Sequence, residues 1–444
     1  MQRLSLLFDS VLKYGTAAIL LAVPLYPKFP FIRIPGTYVS IRLEDFLILA
    51  ISLVVFVKYL PKIQEIFKNG IERSMVIFLG ISLLSLISGI LLLQTAELGI
   101  GALHWVRRVE YFIPFFVGLL VLKREKTGIL NYFLKILMVT VFVAFLYGLG
   151  QKYLNFPVII TQSEEYAKGV ALSWTPGSHI GSTFAGHYDL ATFLVLTLPI
   201  FISSFFLVKE RKMKVALLAV IFSGLWLMVN AISRISIVSY LLSTTLALVL
   251  IKKYKAIIPV VVISVLFFAF STDLLSRYKR IIDIYAQTET ALPQRRISSE
   301  TPTPTPVPIF EDRSTSIRLN VEWPRAIRAF SKNPLLGTGF SSITLATDND
   351  YLRLLGEVGI LGFFSFLLIF LRIGILALKN FPFTKRFDSV ALAFVGGTMG
   401  DMLGVFLNAV FIDVFEASKF AIIFWLLMGI SVSLMRTVKN EQNN

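Results

Sequence analysis

The chain of 444 residues is 56% hydrophobic, carries 43 Lys and Arg against 27 Asp and Glu for a formal charge of +16, and contains no cysteine. A mean hydropathy of +0.75 and repeated apolar runs of about 18 residues or more exclude a soluble domain and point to an all-α, polytopic membrane protein. Without cysteine there are no disulfides, thiolate metal sites or cysteine nucleophiles.

Apolar runs bounded by charge predict about twelve membrane helices, at roughly 12–27, 43–60, 74–93, 109–122, 131–151, 182–208, 213–230, 235–251, 256–271, 357–378, 388–410 and 416–436. The first run leads into Pro24-Leu25-Tyr26-Pro27-Lys28 with no small-x-small cleavage site, so it reads as a retained span rather than a signal peptide. Short connecting segments on one side of the bundle hold 22 of the Lys and Arg residues, against nine on the other side. This asymmetry predicts an inner-membrane protein with both termini in the cytoplasm, and it explains the net charge by topology. The long loop after span nine is nearly charge-balanced, so no polyanion groove and no nucleic-acid partner is implied. Three parts are expected: residues 1–271 with spans one to nine, an extracytoplasmic loop over 272–356, and residues 357–444 with spans ten to twelve and a cytoplasmic tail. Neither a direct nor an inverted repeat is visible between the two halves.

Polar residues at the outer ends of the spans are the candidates for chemistry. Arg107, Arg108 and Glu110 follow Trp105 at an expected membrane interface, where they read as snorkelling anchors or, for either arginine, as a ligand of an anionic head group. His187 and Asp189 fall in the first turns of span six, where uncompensated polar groups are costly, and Asp189 fits a helix-start acid as well as a site residue. Arg234, after Ser233, joins spans seven and eight and reads as a snorkelling arginine or as a guanidinium clamp for phosphate. Beyond span nine, apolar residues at helical spacing over 271–285 predict a helix lying along the interface, and the Thr-Pro repeats within about 287–312 predict an extended or disordered tether. Ser314 or Ser316 then caps a helix with Arg318 and Trp323, interrupted at Pro324, with Arg325 and Arg328 seven and ten residues beyond Arg318. Asn333-Pro334-Leu335-Leu336-Gly337-Thr338-Gly339 is a helix stop and tight turn, and Asp348, Asn349 and Asp350 lead into span ten either as caps or as site groups. Asp401, among glycines, is expected to hydrogen-bond between helices.

These stretches together resemble the O-antigen ligase and polymerase family of membrane glycosyltransferases. The carriers run from about residue 181 to 429: Ser182-Thr183-Phe184 with Gly186-His187-Tyr188-Asp189, Ser233-Arg234, Arg318 with Trp323, the Asn333 to Gly339 turn, Asn349-Asp350-Tyr351-Leu352, and Glu357-Val358-Gly359 with Gly362. The resemblance implies a GT-C-like bundle, an inverting transfer needing neither metal nor cofactor, and a polyprenyl-diphosphate-linked glycan donor at the bilayer with a glycan or lipid-glycan acceptor. It further implies that Arg234 and Arg318 hold the diphosphate and that a base in the long loop activates the acceptor hydroxyl, with Asp348 as the candidate and His187, Asp189 and Asp350 as the alternatives. His187, Asp189, Arg325, Asn349, Tyr351 and Arg108 are then candidates for binding substrate. Many ligases have His where this chain has Asp348, which turns the expectation from ligase toward polymerase. A transporter or flippase for a lipid-linked saccharide is the competing reading, although matched halves and midplane ionisable groups, beyond Asp401, are missing.

Overall fold

The computed structural model describes residues 2–26, 31–33, 40–122, 128–158, 174–175, 178–269, 316–344 and 346–442. The expected interfacial helix at 271–285 and the tether at 287–312 lie outside them. A helix stands at each of the twelve expected spans: α1 (Gln2–Leu25), α2 (Leu43–Tyr59), α4 (Gly70–Leu91), α5 (Leu98–Val121), α6 (Gly128–Tyr153), α7 (His187–Leu207), α8 (Arg211–Ala231), α9 (Arg234–Leu250), α10 (Ile257–Ala269), α12 (Asp350–Asn380), α13 (Ser389–Asn408) and α14 (Ser418–Gln442). The short α3 (Ile63–Lys68) is an addition, the polar α11 (Trp323–Lys332) falls at the helix expected around Trp323, and one antiparallel two-residue pair, Ile32–Arg33 with Ser40–Ile41, precedes α2.

Eight of these helices are long and apolar enough to cross a bilayer. The other four are α2, α9 and α10, which are shorter, and α5, whose apolar run is interrupted by Arg107, Arg108 and Glu110. The chain is an all-α, multi-pass membrane protein. Helices α14 and α7 run through the middle, and their apolar windows are 100% and 83% buried. Between their polar ends both are largely apolar all round, which suits a helix enclosed by other helices rather than one lying on a surface.

Close packing of α9 on α13 rests on small residues: a Cβ built on Gly400 would stand 2.7 Å from the Ser243 carbonyl oxygen. The interhelix hydrogen bonds expected of Asp401 belong instead to Asn408, which accepts from Ser239 Oγ at 2.8 Å and donates to Thr192 Oγ1 at 3.3 Å. Asp401 is buried nearby, and neither of its carboxylate oxygens has a hydrogen-bond partner among the described residues.

Hydrogen bonds sort the loops into two ends of the bundle. At one end Lys58 pairs with Asp9, and Arg436 holds both carboxylate oxygens of Glu72 at 2.6 and 2.7 Å, so the two chain termini emerge together. The opposite end gathers the connections after α1, α4, α6, α8 and α13. There Lys419 Nζ donates to the carbonyls of Pro24 and Thr183, and Lys152 Nζ to Asn230 Oδ1 at 2.7 Å.

This second end is shaped by a break in α12. Gly359 takes φ 66° and ψ −172°, a conformation essentially reserved for glycine, so the helix is interrupted and its backbone groups there need new partners. The turn at 333–339 supplies them. Thr338 and Gly339 N–H donate to the carbonyls of Gly356 and Glu357, and Ile360 and Leu361 N–H donate to those of Pro334 and Leu335. Gly337, at φ 69°, lets the turn approach so closely that a Cβ would collide with the backbone of Glu357. Ser85 Oγ bonds the Glu357 carbonyl at 2.7 Å and Thr95 Oγ1 the Thr338 carbonyl at 2.7 Å, which anchors the assembly to α4.

Candidate functional site

Arg318 opens a π-helical turn over Arg318–Glu322 that runs directly into α11. Pro324 has no N–H to continue an α-helical ladder, and the wider i to i+5 turn absorbs that gap, with Trp323 N–H bonding the Arg318 carbonyl. Arg318 donates through Nε and Nη2 to Asp348 Oδ2 at 3.1 and 2.7 Å. Its guanidinium also stands 5.9 Å from the ring centre of Tyr188, in the first turn of α7. Adjacent His187 stacks on His179 with ring centres 4.1 Å apart. Three stretches distant in sequence, around 187, 318 and 348, therefore meet at one point.

Asp348 is presented outward by what happens to its neighbours. The N–H groups of Thr347 and Asn349 both donate to the Asp413 carboxylate, at 2.9 and 3.0 Å, which places Asp348 between them in the left-handed region at φ 49°. Paired N–H groups of this kind form an anion-binding concavity, here filled by a side chain. The cap of α12 is Asn349, whose Oδ1 accepts from Leu352 N–H at 2.9 Å; Asp348 is not a cap. Asp350 is buried, and its carboxylate receives the N–H groups of Val414 and Phe415 at 2.8 and 3.2 Å. Tyr351 donates its hydroxyl to the Phe406 carbonyl at 2.9 Å. Asn349, Asp350 and Tyr351 thus hold the 347–351 segment against 406–415 and leave Asp348 as the outward-facing acid.

Beneath this loop lies a buried ionic layer. Arg353 reaches Asp413 at 3.2 Å and Glu357 at 3.5 Å. Arg108, expected at the membrane interface, is only 5% exposed; it pairs with Glu416 and donates to the Phe415 carbonyl at 2.9 Å. Burial alone would raise the Glu416 carboxyl, but Arg108, Arg353 and His104 outweigh it and bring it down to about 2. Arg107 is paired as well, with Asp45 at 2.6 Å and Glu110 at 2.9 Å. Both arginines are thus held in ion pairs.

Burial pushes the Asp348 carboxyl up, Arg318 pulls it down, and the negative charge of Asp413 adds to the rise, leaving it above the usual range. Glu322, one turn beyond Arg318, is pushed up to about 7, first by burial and then by the charge of Asp348. Its Oε2 is buried with no hydrogen-bond partner among the described residues. Beside this group a cleft of about 340 Å³ is lined by Arg325, Arg328 and Lys332 on one face of α11, opposite Thr95, Thr338 and Ser342. Arg325 Nη1 is buried there, again without a hydrogen-bond partner among the described residues. Such a cleft is suited to a phosphate or carboxylate.

Residues 216–367 match the family model described as O-antigen ligase. Over this stretch the chain is similar to the O-antigen ligase family. The match takes in Arg234, Arg318, Arg325, Asp348, Asn349 and Tyr351, while Arg108, His187 and Asp189 lie outside it. A search of curated proteins finds no match. That similarity points to an enzyme of the glycosyltransferase-like ligase/polymerase type in surface polysaccharide biosynthesis.

The expected residues are distributed unevenly. Arg318 and Asp348 are in contact, Arg325 lines the adjoining cleft, and His187 joins through Tyr188. Asp189 lies in the same first turn of α7. Arg234 is exposed at the first turn of α9, where the preceding turn puts the β-branched Ile232 at φ 54°, an uncommon conformation that costs about 1–3 kcal/mol. The bond from Ile180 N–H to the Asn230 carbonyl ties that turn to the segment leading into α7. Sequence reasoning missed Glu322, Tyr188, His179, Asp413 and Glu416. The spacing of Glu322 four residues after Arg318 was a readable signal for a paired acid; the others become visible only once the loops meet.

Proposed function

We propose that this enzyme transfers or polymerises a polyprenyl-diphosphate-linked glycan onto an acceptor hydroxyl at the outer face of the cytoplasmic membrane, by a metal-independent and inverting displacement. The observation that carries this reading is the convergence of Arg318, Asp348 and Glu322 beside a cationic cleft at one end of the bundle. The acceptor oxygen attacks the anomeric carbon from the face opposite the diphosphate. Its proton passes to a carboxylate, and the bond from the anomeric carbon to the diphosphate oxygen breaks with both electrons leaving on the polyprenyl diphosphate. Arg318, Arg325 and Arg234 stabilise that leaving charge with fixed guanidinium groups. Asp348, at the family's base position, is the first choice of proton acceptor. Glu322 is the second, favoured by its proton affinity near neutral pH and its unpartnered oxygen. Aspartate where many ligases have histidine favours polymerisation over ligation. The end bearing this site is extracytoplasmic in this reading, residues 272–356 form its loop, and both termini are cytoplasmic.

Purified protein in liposomes, supplied with a defined polyprenyl-diphosphate oligosaccharide, tests the reading. A ladder of products identifies a polymerase, and a single transfer to a different acceptor identifies a ligase. Donor that is chemically unchanged but has crossed the bilayer would identify a flippase and end the enzymatic assignment.

A further inference from the structure

At the end of the bundle opposite the candidate active site, a cleft of about 500 Å³ opens between α4, α12 and α14. Its floor is cationic: Arg372 and Lys379, seven residues apart on one face of α12, meet Arg436 of α14. Arg436 is matched by the buried Glu72, and Arg372 donates to the Gly70 carbonyl. Lys379 is exposed and makes no hydrogen bond or ion pair among the described residues. Three cations against one carboxylate leave the cleft with a net positive charge. Its rim is apolar. Ile375 and Leu376 lie between the two α12 cations, and the neighbouring Leu371, Ile375 and Leu378 are 59%, 42% and 75% exposed on the outer surface of a membrane helix.

We propose that this cleft is a binding site for an anionic phospholipid, with the head-group phosphate between Arg372, Lys379 and Arg436 and the acyl chains along Leu371, Ile375 and Leu378. A free phosphate would use the cations and leave the apolar rim unoccupied, whereas an amphiphilic anion uses both. Basic pockets between membrane helices near the membrane surface are suited to anionic head groups, and each nearby Lys or Arg contributes about fivefold in affinity. Neither the family match, which ends at residue 367, nor the glycosyl-transfer chemistry requires such a site.

The full-length protein in neutral detergent is titrated with phosphatidylglycerol or with phosphatidylcholine of the same chains, and the bound lipid is counted by native mass spectrometry. The wild type is expected to prefer phosphatidylglycerol by about tenfold or more, and Arg372→Gln/Lys379→Gln to lose that preference. Should removal of the Arg372 contact to Gly70 prevent folding, Lys379→Gln alone is expected to weaken phosphatidylglycerol binding roughly fivefold at an unchanged thermal midpoint. Excess inorganic phosphate is expected not to displace the lipid. Undiminished preference in the folded variant, or displacement by inorganic phosphate, overturns the assignment. Because the readout is lipid retention, the result is independent of whether the enzyme polymerises, ligates or flips its donor.

Discussion

At Asp348 two demands meet, a left-handed backbone imposed by Asp413 and a carboxylate shared with Arg318, and substitutions separate them. Asn tolerates the left-handed region, so Asp348→Asn is expected to keep the fold while turnover falls about a hundredfold, the scale of a lost general base. Asp348→Ala loses the same chemistry and adds roughly 1 kcal/mol of backbone strain, read as a lowered thermal midpoint. The pH profile identifies the second candidate. A base must be deprotonated to accept a proton, so if Glu322, pushed up to about 7, performs that step, the rate rises with pH through that value. Survival of turnover in Asp348→Asn, with the rise displaced to lower pH because the charge of Asp348 no longer adds to it, and loss of both in Glu322→Gln, would transfer the role to Glu322. Arg318→Lys and Arg234→Lys keep charge but replace a planar fork by a point charge, and each is expected to reduce turnover at least tenfold in a folded protein. Unchanged rates in both would remove the arginine clamp. Glu416→Gln probes the layer below: it leaves Arg108 buried without its ionic partner and should destabilise by about 3–5 kcal/mol, seen as early thermal unfolding.

Among the elements, the π turn and the broken α12 set the positions of the site residues. The π turn brings Arg318 and Glu322 into the electrostatic neighbourhood of Asp348, and the break at Gly359 gives the 333–339 turn a docking place that closes the wall of the α11 cleft. Gly359→Ala is therefore expected to be among the most damaging single-methyl additions in the chain. The added Cβ would collide with the Leu335 carbonyl, and the backbone would be held in a region that costs Ala about 1–3 kcal/mol. Loss of the monodisperse detergent-solubilised peak in size-exclusion chromatography is the expected result; a normal peak and thermal midpoint would show that the break is dispensable. This junction was half legible. Gly337 and Gly339 announced a turn in the sequence, whereas Gly359 fell inside the expected span ten, and that the turn completes the hydrogen bonds of a broken helix depends on their meeting in space.

On the scale of the whole molecule, the proposed orientation rests on the 22 to nine division of basic residues between short segments. The chain has no cysteine, so introduced cysteines report without background. Ser331→Cys on exposed α11 is expected to react with an impermeant thiol reagent in intact cells, and Glu210→Cys at the other end only after the membrane is opened. The reverse pattern would invert the protein and move its active site to the cytoplasm. Sequence alone determined the twelve helices and their class, because apolar length and flanking charge are local properties that a bilayer reads directly. It also identified Arg318, Asp348 and His187 as noteworthy, each from its polar character beside apolar runs. Only the tertiary structure decided their company. Asn349 became the cap, Asp350 and Tyr351 became struts, Arg108 was matched by Glu416, and Glu322 joined Asp348 at Arg318. The physical reason is that hydrophobic periodicity fixes where a helix lies. The partner of a buried charge is chosen by loops that approach from far along the chain, and no local pattern encodes that choice.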